Sequence, residues 1–275
     1  MKNTLQIIPA IILLIFFSSC QKEFLDPNAG NSIYDANALR FIDSAGVSDI
    51  TQKSAINTFV KELKDSSLWP AFAAIYPMVG ASAASTKWNL KDPRDLDEAY
   101  RLTFEGKPVY TNTGILFSTI SDFADTHLND SIMVYNDNSI SYYSETQNTI
   151  SGYDMGCSDV GFPANEMAIY HTSDASNWFG YFDWGPKPAN TKGLFMFSAT
   201  AYNVTRYENG IVVNSSGKSP GIGFTGYPVL IGKVSEAPTG GQKVCGLATI
   251  GRGLTDVQAL TFYNIVQNFE TALGR

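Results

Sequence analysis

The chain has 275 residues, of which 44% are hydrophobic and 13% aromatic, and its formal net charge is −7 at pH 7. The hydrophobic share is sufficient for a sizeable core, and the many aromatic residues, together with 23 glycines, favour strands and turns over helices. A nucleic-acid surface needs clustered Lys and Arg, and this acidic sequence has no basic run. We therefore expect neither DNA nor RNA as a partner, and no electrostatic docking onto anionic lipid.

The first predicted element is an export signal at residues 1–19. Lys2 supplies a positive charge, residues 7–17 form an apolar run too short to span a bilayer, and two serines precede Cys20. This order resembles a bacterial lipoprotein signal, in which the cysteine is lipidated and becomes the first residue of the mature protein, and the polar residues 21–23 that follow resemble lipoproteins of the Bacteroidota. The resemblance implies an outer-membrane lipoprotein that faces the periplasm or the cell surface and is held by an acyl anchor at Cys20. The alternative is an ordinary signal peptide that contains a cysteine.

Residues 20–34 contain Pro, Gly, Asn and Asp without periodicity, which predicts a tether between the lipid and the fold. A single domain is predicted over residues 35–275. It is expected to begin with helices at 35–68 and to end with a helix at 255–273. We expect these helices to pack on the β structure between them, because their apolar faces are too small to form a domain alone.

Two capping patterns mark the N-terminal helices. Asp35 can cap the first helix, and Gly46 would end it in the left-handed conformation that glycine favours at helix C-termini. Asp49 can cap the second helix, with Gln52 in the position of a capping-box partner. These residues predict where both helices begin and where the first one ends.

Between residues 71 and 253, short β-rich runs alternate with turn clusters about every ten residues, which is typical of a sandwich or barrel. The best-specified hairpin has Asn209-Gly210 at its centre, because both residues tolerate the positive φ of a type I′ turn. The predicted strands are 72–79, 99–104, 139–144, 166–171, 193–199, 202–207, 211–214, 229–231 and 244–250. Thr255 or Asp256 can then cap an amphipathic C-terminal helix, whose polar face has too few Lys and Arg residues for a membrane-binding helix.

The remaining cysteines, Cys157 and Cys245, lie in a chain predicted to be exported, where disulfides form. A bridge between them is one interpretation. The other is two buried thiols that pack as small hydrophobic residues. Both interpretations stay open, because a disulfide depends on the distance between the two Cα atoms.

Several segments of the second half match one family pattern. Tyr207, Asn209 and Gly210 form a Y-x-N-G hairpin, residues 231–232 end the next strand with Ile-Gly, and residues 253–256 lead into the last helix. This order resembles the concanavalin A-like lectin/glucanase domains of the laminin G-like kind. The resemblance implies a mainly β, concanavalin A-like jelly-roll sandwich with short N-terminal helices and a C-terminal amphipathic helix. The matching residues specify turns and strand ends, so they carry no chemistry.

No catalytic residue is predicted. Glucanases of this superfamily carry Glu-x-Asp-x-Glu on one strand, where alternate carboxylates share a face, and that triplet is missing here. The segment 92–98 contains Pro93 and four acidic residues, which favours a solvated loop; the acidic residues are Asp92, Asp95, Asp97 and Glu98. His127 and His171 are the two histidines, too few for a multi-histidine zinc site, and we expect His171 at the surface or at a strand end. The protein is therefore predicted not to be an enzyme, and a divergent glycoside hydrolase or lyase is the alternative.

The aromatic-rich segment near residue 180 is the predicted ligand surface. Exposed aromatic faces stack on sugar rings, while adjacent Asn and Asp can bond to hydroxyl groups. The alternative is a strand that buries one alternate set of these side chains. The candidate ligand-binding residues are Asn177, Trp178, Tyr181, Asp183 and Trp184.

A second candidate is a calcium site. Laminin G-like domains often hold calcium through oxygen ligands, which hard cations prefer. Their spacing here is not diagnostic, so no metal ligand is assigned. The oxygen-rich positions are Asp122, Asp125, Asn129 and Asp130.

These patterns favour a lipid-anchored envelope protein whose non-catalytic, lectin-like domain binds a glycan or another surface polymer. The first alternative is a structural or adhesive surface module that binds a protein partner. Sugar recognition requires Trp178, Tyr181 or Trp184 to be exposed in a groove, whereas protein binding requires a broad apolar patch.

Overall fold

The computed structural model describes residues 24–25, 33–134, 136–147, 150–158, 166–171, 176–179, 183–186, 190–201, 203–217, 226–235 and 240–275. The predicted signal peptide and Cys20 lie outside these residues. Within the described ranges, none of the helices combines the length and apolarity needed to cross a bilayer.

The described part of the chain contains four α-helices and seventeen strands. The helices are α1 (Ala36–Ala45), α2 (Ile50–Asp65), α3 (Ala83–Thr86) and α4 (Asp256–Ala272). The strands are β1 (Phe24–Leu25), β2 (Ile33–Tyr34), β3 (Phe72–Tyr76), β4 (Thr103–Glu105), β5 (Val109–Thr111), β6 (Gly114–Leu116), β7 (Phe123–Asn129), β8 (Asp137–Ser144), β9 (Gly152–Ser158), β10 (Glu166–His171), β11 (Ser176–Phe179), β12 (Asp183–Pro186), β13 (Gly193–Thr200), β14 (Asn203–Glu208), β15 (Ile211–Gly217), β16 (Pro228–Ile231) and β17 (Val244–Gly251).

Two antiparallel sheets form a β-sandwich. One has seven strands in the order β12-β11-β10-β9-β16-β7-β4, and the other has eight, in the order β15-β14-β13-β8-β17-β6-β5 with β3 also paired to β17. Apolar side chains from both sheets fill the space between them; Phe195 and Phe197 of β13, for example, pack with Met155 and Ile169 of the opposite sheet. The mainly β sandwich expected from the sequence is thereby confirmed.

The helices cover the outer face of the eight-stranded sheet. Their apolar faces form a second core with that sheet, in which the Phe59 and Phe269 rings lie 4.6 Å apart and the Phe72 and Phe262 rings 4.8 Å apart. Burial of these rings stabilises the helices, because most helical stability in proteins comes from the packing of an apolar face.

The predicted caps and hairpin are confirmed. Asp35 and Asp49 accept hydrogen bonds from the first turns of α1 and α2, and Gly46 ends α1 with φ of +63°. Asn209 and Gly210 both have positive φ, at +51° and +75°, in the β14–β15 turn. Local hydrogen bonding and backbone sterics specify these features, so tertiary contacts are not needed to predict them.

One predicted strand begins too early. Residues 97–99 of the strand expected at 99–104 belong to a short 3-10 helix, and Tyr100 follows it in the left-handed conformation with φ of +60°. The strand in this region is β4, which starts at Thr103. The extra turn places the acidic loop beside β7, where it contributes to the surface described below.

Candidate functional site

The predicted aromatic surface lies at one edge of the seven-stranded sheet. β11 pairs with β12 there, and backbone positions 178 and 184 are directly opposite each other in register. The side chains of Asn177, Trp178, Asp183 and Trp184, and the whole of Tyr181, lie outside the described residues. Their role in ligand binding therefore stays a prediction.

The oxygen-rich residues proposed for calcium are distributed to opposite ends of β7. Asp122 accepts hydrogen bonds from the backbone of Lys107 and Thr119, whereas Asp130 accepts one from the backbone of Gly226. These internal bonds occupy carboxylate oxygens that a cation would need. In the part of the chain that the structure describes, no group of three or more His, Cys, Asp or Glu residues is placed to hold a metal ion.

Cys157 and Cys245 are free thiols in the core between the sheets, so the disulfide left open by the sequence is not formed. Cys157 Sγ lies 3.5 Å from Asp130 Oδ2. Burial raises the pKa of Cys245 well above its usual range, which keeps its thiol protonated. Both cysteines thus match the alternative of small buried hydrophobic residues.

The outer face of the seven-stranded sheet, called the open face below, differs from the helix-covered face of the other sheet. Along β7 the inward-facing residues are fully buried, while Asp125 and His127 on the open face are partly exposed. Tyr153 and Tyr170 are also partly exposed, and their rings lie 4.6 Å apart on paired strands. The open face therefore presents both polar and aromatic groups.

Charged residues are concentrated at the β4–β7 edge of this face. We call Asp95, Asp97, Arg101, Asp125 and His127 the His127 cluster. Arg101 binds Asp97 at 2.8 Å and Asp95 at 3.3 Å, and His127 Nε2 lies 3.5 Å from Asp97 Oδ1. The Asp95 and Asp97 side chains are 53% and 58% exposed, so their oxygens remain accessible from solvent.

Two of the eight non-glycine residues with positive φ in the described part of the chain lie at the same place. His127 has φ of +55° inside β7, and Tyr100, which precedes Arg101, has φ of +60°. The Asp125 carboxylate supports the first of these conformations by accepting a hydrogen bond of 2.7 Å from the His127 backbone. Left-handed non-glycine residues are costly and tend to occur at functional sites, so the strain marks this cluster as a candidate site.

A second cluster is buried between the sheets. Lys243 Nζ lies 3.0 and 2.9 Å from the two Asp154 oxygens and 2.9 Å from His171 Nδ1, which in turn lies 2.5 Å from Asp154 Oδ2. We call these three residues the buried triad. His171 ends β10, as predicted, but it is only 2% exposed, so the expected surface location is wrong.

Burial and neighbouring charges shift the pKa values of Asp154 and His171. Burial tends to raise the pKa of Asp154, but the neighbouring Lys243 and His171 outweigh it and hold that pKa below its usual range. Burial lowers the pKa of His171, against the opposing charge of Asp154. The triad therefore combines an ionised acid with a histidine that favours the neutral form.

A β-bulge points Asp154 into the core. Met155 pairs with Ile169 and Tyr153 with Tyr170, which leaves Asp154 as an extra residue on β9. In a regular strand, neighbouring side chains point to opposite faces of the sheet. The extra residue interrupts this alternation, so Asp154 and its neighbour Met155 both point inward. This geometry, together with the separation of 89 residues between Asp154 and Lys243, explains why sequence patterns did not identify the triad.

Comparisons with known proteins indicate a fold. No protein-family model matches the chain, and no curated protein sequence matches it. A sialidase from Trypanosoma rangeli in complex with the inhibitor DANA is similar in structure, with a TM-score of 0.50 and 9% identity over 77% of this chain and 38% of the sialidase. Domain 4 of a GH43 extracellular arabinanase from Geobacillus stearothermophilus, in complex with arabinotriose, has a TM-score of 0.45 and 16% identity over 70% of this chain and 98% of that domain. The chain thus spans less than half of the sialidase, and identities this low concern the fold alone.

Proposed function

We propose that the protein is a non-catalytic glycan-binding module of a lipid-anchored envelope protein, and that glycans bind on the open face. The observation that carries this proposal is the exposed, strained His127 cluster. Sugar hydroxyl groups both donate and accept hydrogen bonds, so a site for them needs both kinds of partner. Asp95 and Asp97 accept, Arg101 donates, and His127 can do either.

The dimensions of the open face suit a polymer better than a single sugar. Six inter-strand spacings of about 4.8 Å give the seven-stranded sheet a width of roughly 29 Å. The His127 cluster lies towards one edge, the Tyr153–Tyr170 pair lies further across, and the β11–β12 pair with Trp178 and Trp184 forms the other edge. A glycan chain laid across the strands would pass polar groups and then aromatic groups.

A glycan array tests this proposal with the full chain carrying Cys20→Ser, which prevents lipidation. We expect binding to a defined glycan, and a loss of about 10–100-fold in affinity for Arg101→Met, because a hydrogen bond to a charged group contributes about 1.5–3 kcal/mol. Arg94→Met is the matched control, since Arg94 pairs with Asp92 on the surface outside the cluster. Trp178→Ala with Trp184→Ala tests the other edge separately.

Two outcomes would contradict the proposal. If the folded protein bound no glycan, a glycan ligand would be excluded. If Arg101→Met and Arg94→Met lost affinity equally, the His127 cluster would be excluded as the binding site. The bound glycan should also remain intact on long incubation with the protein. Cleavage would instead support the divergent hydrolase or lyase.

The acyl anchor is tested independently. Wild-type protein expressed in a lipoprotein-processing bacterium should fractionate with membranes, whereas Cys20→Ser should be released into the soluble fraction. We expect this difference because the proposed membrane attachment depends on acyl chains bound to Cys20. Burying acyl chains in the bilayer contributes about 0.8 kcal/mol per CH₂ group. Equal membrane retention of both proteins would contradict lipidation at Cys20.

A protein partner is the second candidate, because an apolar patch is exposed at the other sheet. Ile211 and Val212 at the start of β15 are 65% and 42% exposed, and Val257 and Leu260 in α4 are 77% and 46% exposed. The Gly210 turn brings these elements together, since it packs against Leu260 and Tyr263. Such a patch can mark a protein-binding surface.

A further inference from the structure

We propose that Lys243 and Asp154 become joined by an amide bond between Nζ and Cγ, formed within the folded protein, with His171 carrying the proton. The link would be a covalent modification of the buried triad, and it is independent of what the open face binds. It would tie β9 of one sheet to the residue that precedes β17 of the other.

The reacting groups are already in contact. Lys243 Nζ is almost equally distant from the two Asp154 oxygens, at 3.0 and 2.9 Å, so the nitrogen contacts the carboxyl group symmetrically. The side chains of both residues are completely buried. Because the two groups are held in contact within one chain, their reaction is intramolecular. Well-oriented intramolecular pairs have reached effective molarities of about 10⁵ M or more.

The residues around the triad fix its position and exclude water from it. A Cβ atom on Gly241 would lie 1.8 Å from Asp154 Oδ1, so the carboxyl group occupies space that only glycine leaves open. The Phe195 ring packs at 4.6 Å against the His171 ring, and Tyr142 donates a hydrogen bond to the Lys243 carbonyl. Exclusion of bulk water opposes hydrolysis of an amide once it has formed.

His171 is positioned to move the proton. Its Nδ1 atom lies within hydrogen-bond distance of both Lys243 Nζ and Asp154 Oδ2. One ring nitrogen can therefore accept a proton from the amine and deliver it to the carboxyl oxygen. Burial lowers the pKa of His171, so the imidazole is available as a base at neutral pH.

The reaction balances without another reagent. The ion pair first exchanges one proton internally, which gives a neutral Lys243 amine and a neutral Asp154 acid. The Nζ lone pair then forms a bond to Cγ, an Nζ proton passes through His171 to a carboxyl oxygen, and the Cγ–O bond breaks. The products are one amide and one water molecule, and nothing is oxidised or reduced.

Intact-mass spectrometry of the denatured full chain carrying Cys20→Ser tests the proposal. We expect a mass lower than that of the processed sequence by one water molecule, and a branched peptide joining the Asp154 and Lys243 segments after proteolysis. The Lys64–Asp35 pair, at 2.7 Å but partly exposed, is an internal control that should remain unlinked. A folded protein with the full mass of its sequence would overturn the proposal.

Variants identify the chemistry. Asp154→Asn should lose one ammonia molecule instead of one water, because the leaving group changes while the geometry is kept. His171→Gln should form the link about 100-fold more slowly after refolding, or slower still, since general acid–base catalysis contributes about 10²–10⁴-fold. Lys243→Arg keeps the cation and should have its full mass. A mass deficit that persists in Lys243→Arg would place the modification elsewhere and overturn the proposal.

Discussion

Lys243→Met is expected to lower the free energy of unfolding by at least about 3–5 kcal/mol, because it leaves the Asp154 carboxyl group buried without its partner, whether that partner is held by charge or by an amide bond. Methionine is similar in length to lysine and apolar, so the loss reflects the missing interaction with Asp154 more than a cavity. Equilibrium unfolding in urea at pH 7 measures the effect as a lower midpoint. Arg94→Met is the control, because Arg94 also pairs with a carboxylate, that of Asp92, but both side chains are exposed. A surface pair of that kind contributes about 1 kcal/mol or less.

The double variant Lys243→Met with Asp154→Leu separates an ionic pair from a covalent link. Replacing both members of a buried ion pair by apolar residues is often neutral, so a purely ionic pair predicts recovery of most of the stability. An amide in the wild type predicts that the double variant stays about 4–5 kcal/mol less stable, since a link across 89 residues is lost. Full recovery would count against the amide.

Glu270→Gln is expected to abolish a pH dependence of stability. The Glu270 side chain in α4 is fully buried and binds the Arg275 guanidinium at 3.2 Å. Burial raises the pKa of Glu270 to about 7, with the charge of Glu145 adding to the shift and that of Arg275 opposing it. Among the described residues, no hydrogen bond reaches Oε1 of Glu270 or Oε1 of Glu145, so the ionised form of Glu270 is incompletely compensated.

The sign of the effect follows from the two pKa values. Glu270 has a pKa of about 7 in the folded protein, whereas an unfolded glutamate has a pKa of about 4.3. Between these values the folded protein keeps a proton that the unfolded chain has lost. The stabilising contribution is therefore complete below about pH 4 and is lost as the pH rises through 7, which amounts to about 4 kcal/mol.

Urea unfolding between pH 4 and pH 8 checks this prediction. Glu270→Gln should match the wild type near pH 4 and be more stable by about 4 kcal/mol at pH 8. Glu145→Gln removes the neighbouring like charge and so lowers the pKa of Glu270, which should make the loss of stability smaller and complete at a lower pH. Parallel pH profiles for the wild type and Glu270→Gln would show that Glu270 does not titrate in this range.

Local rules were sufficient for the helices and the best turn. The side chains of Asp35 and Asp49 bond to backbone groups two or three residues away, and Asn209-Gly210 adopts positive φ through its own sterics. Such features depend on neighbours in the chain, so they can be predicted without knowledge of the fold. Thr255 likewise forms a capping box with Gln258 at the start of α4.

Strands with polar faces were harder to predict. β7 contains Asp125 and Asn129, which suggested an oxygen-rich loop, although its alternate residues Ala124 and Leu128 are fully buried. β9 was missed for a similar reason, since Gly156 and Asp154 are typical of turns. The open face accepts polar residues on one side of these strands, and only the packed sandwich shows which side that is.

The sequence by itself determined the helix caps, the Asn209-Gly210 hairpin and the mainly β character, because each depends on local sterics, local hydrogen bonds or overall composition. The tertiary structure alone decided that Asp154, His171 and Lys243 meet, since a bulge points one of them inward and two sheets bring the others to it. It likewise decided that His127 lies beside Asp97. Contacts between residues far apart in sequence arise from the packing of whole sheets, and no local pattern encodes them.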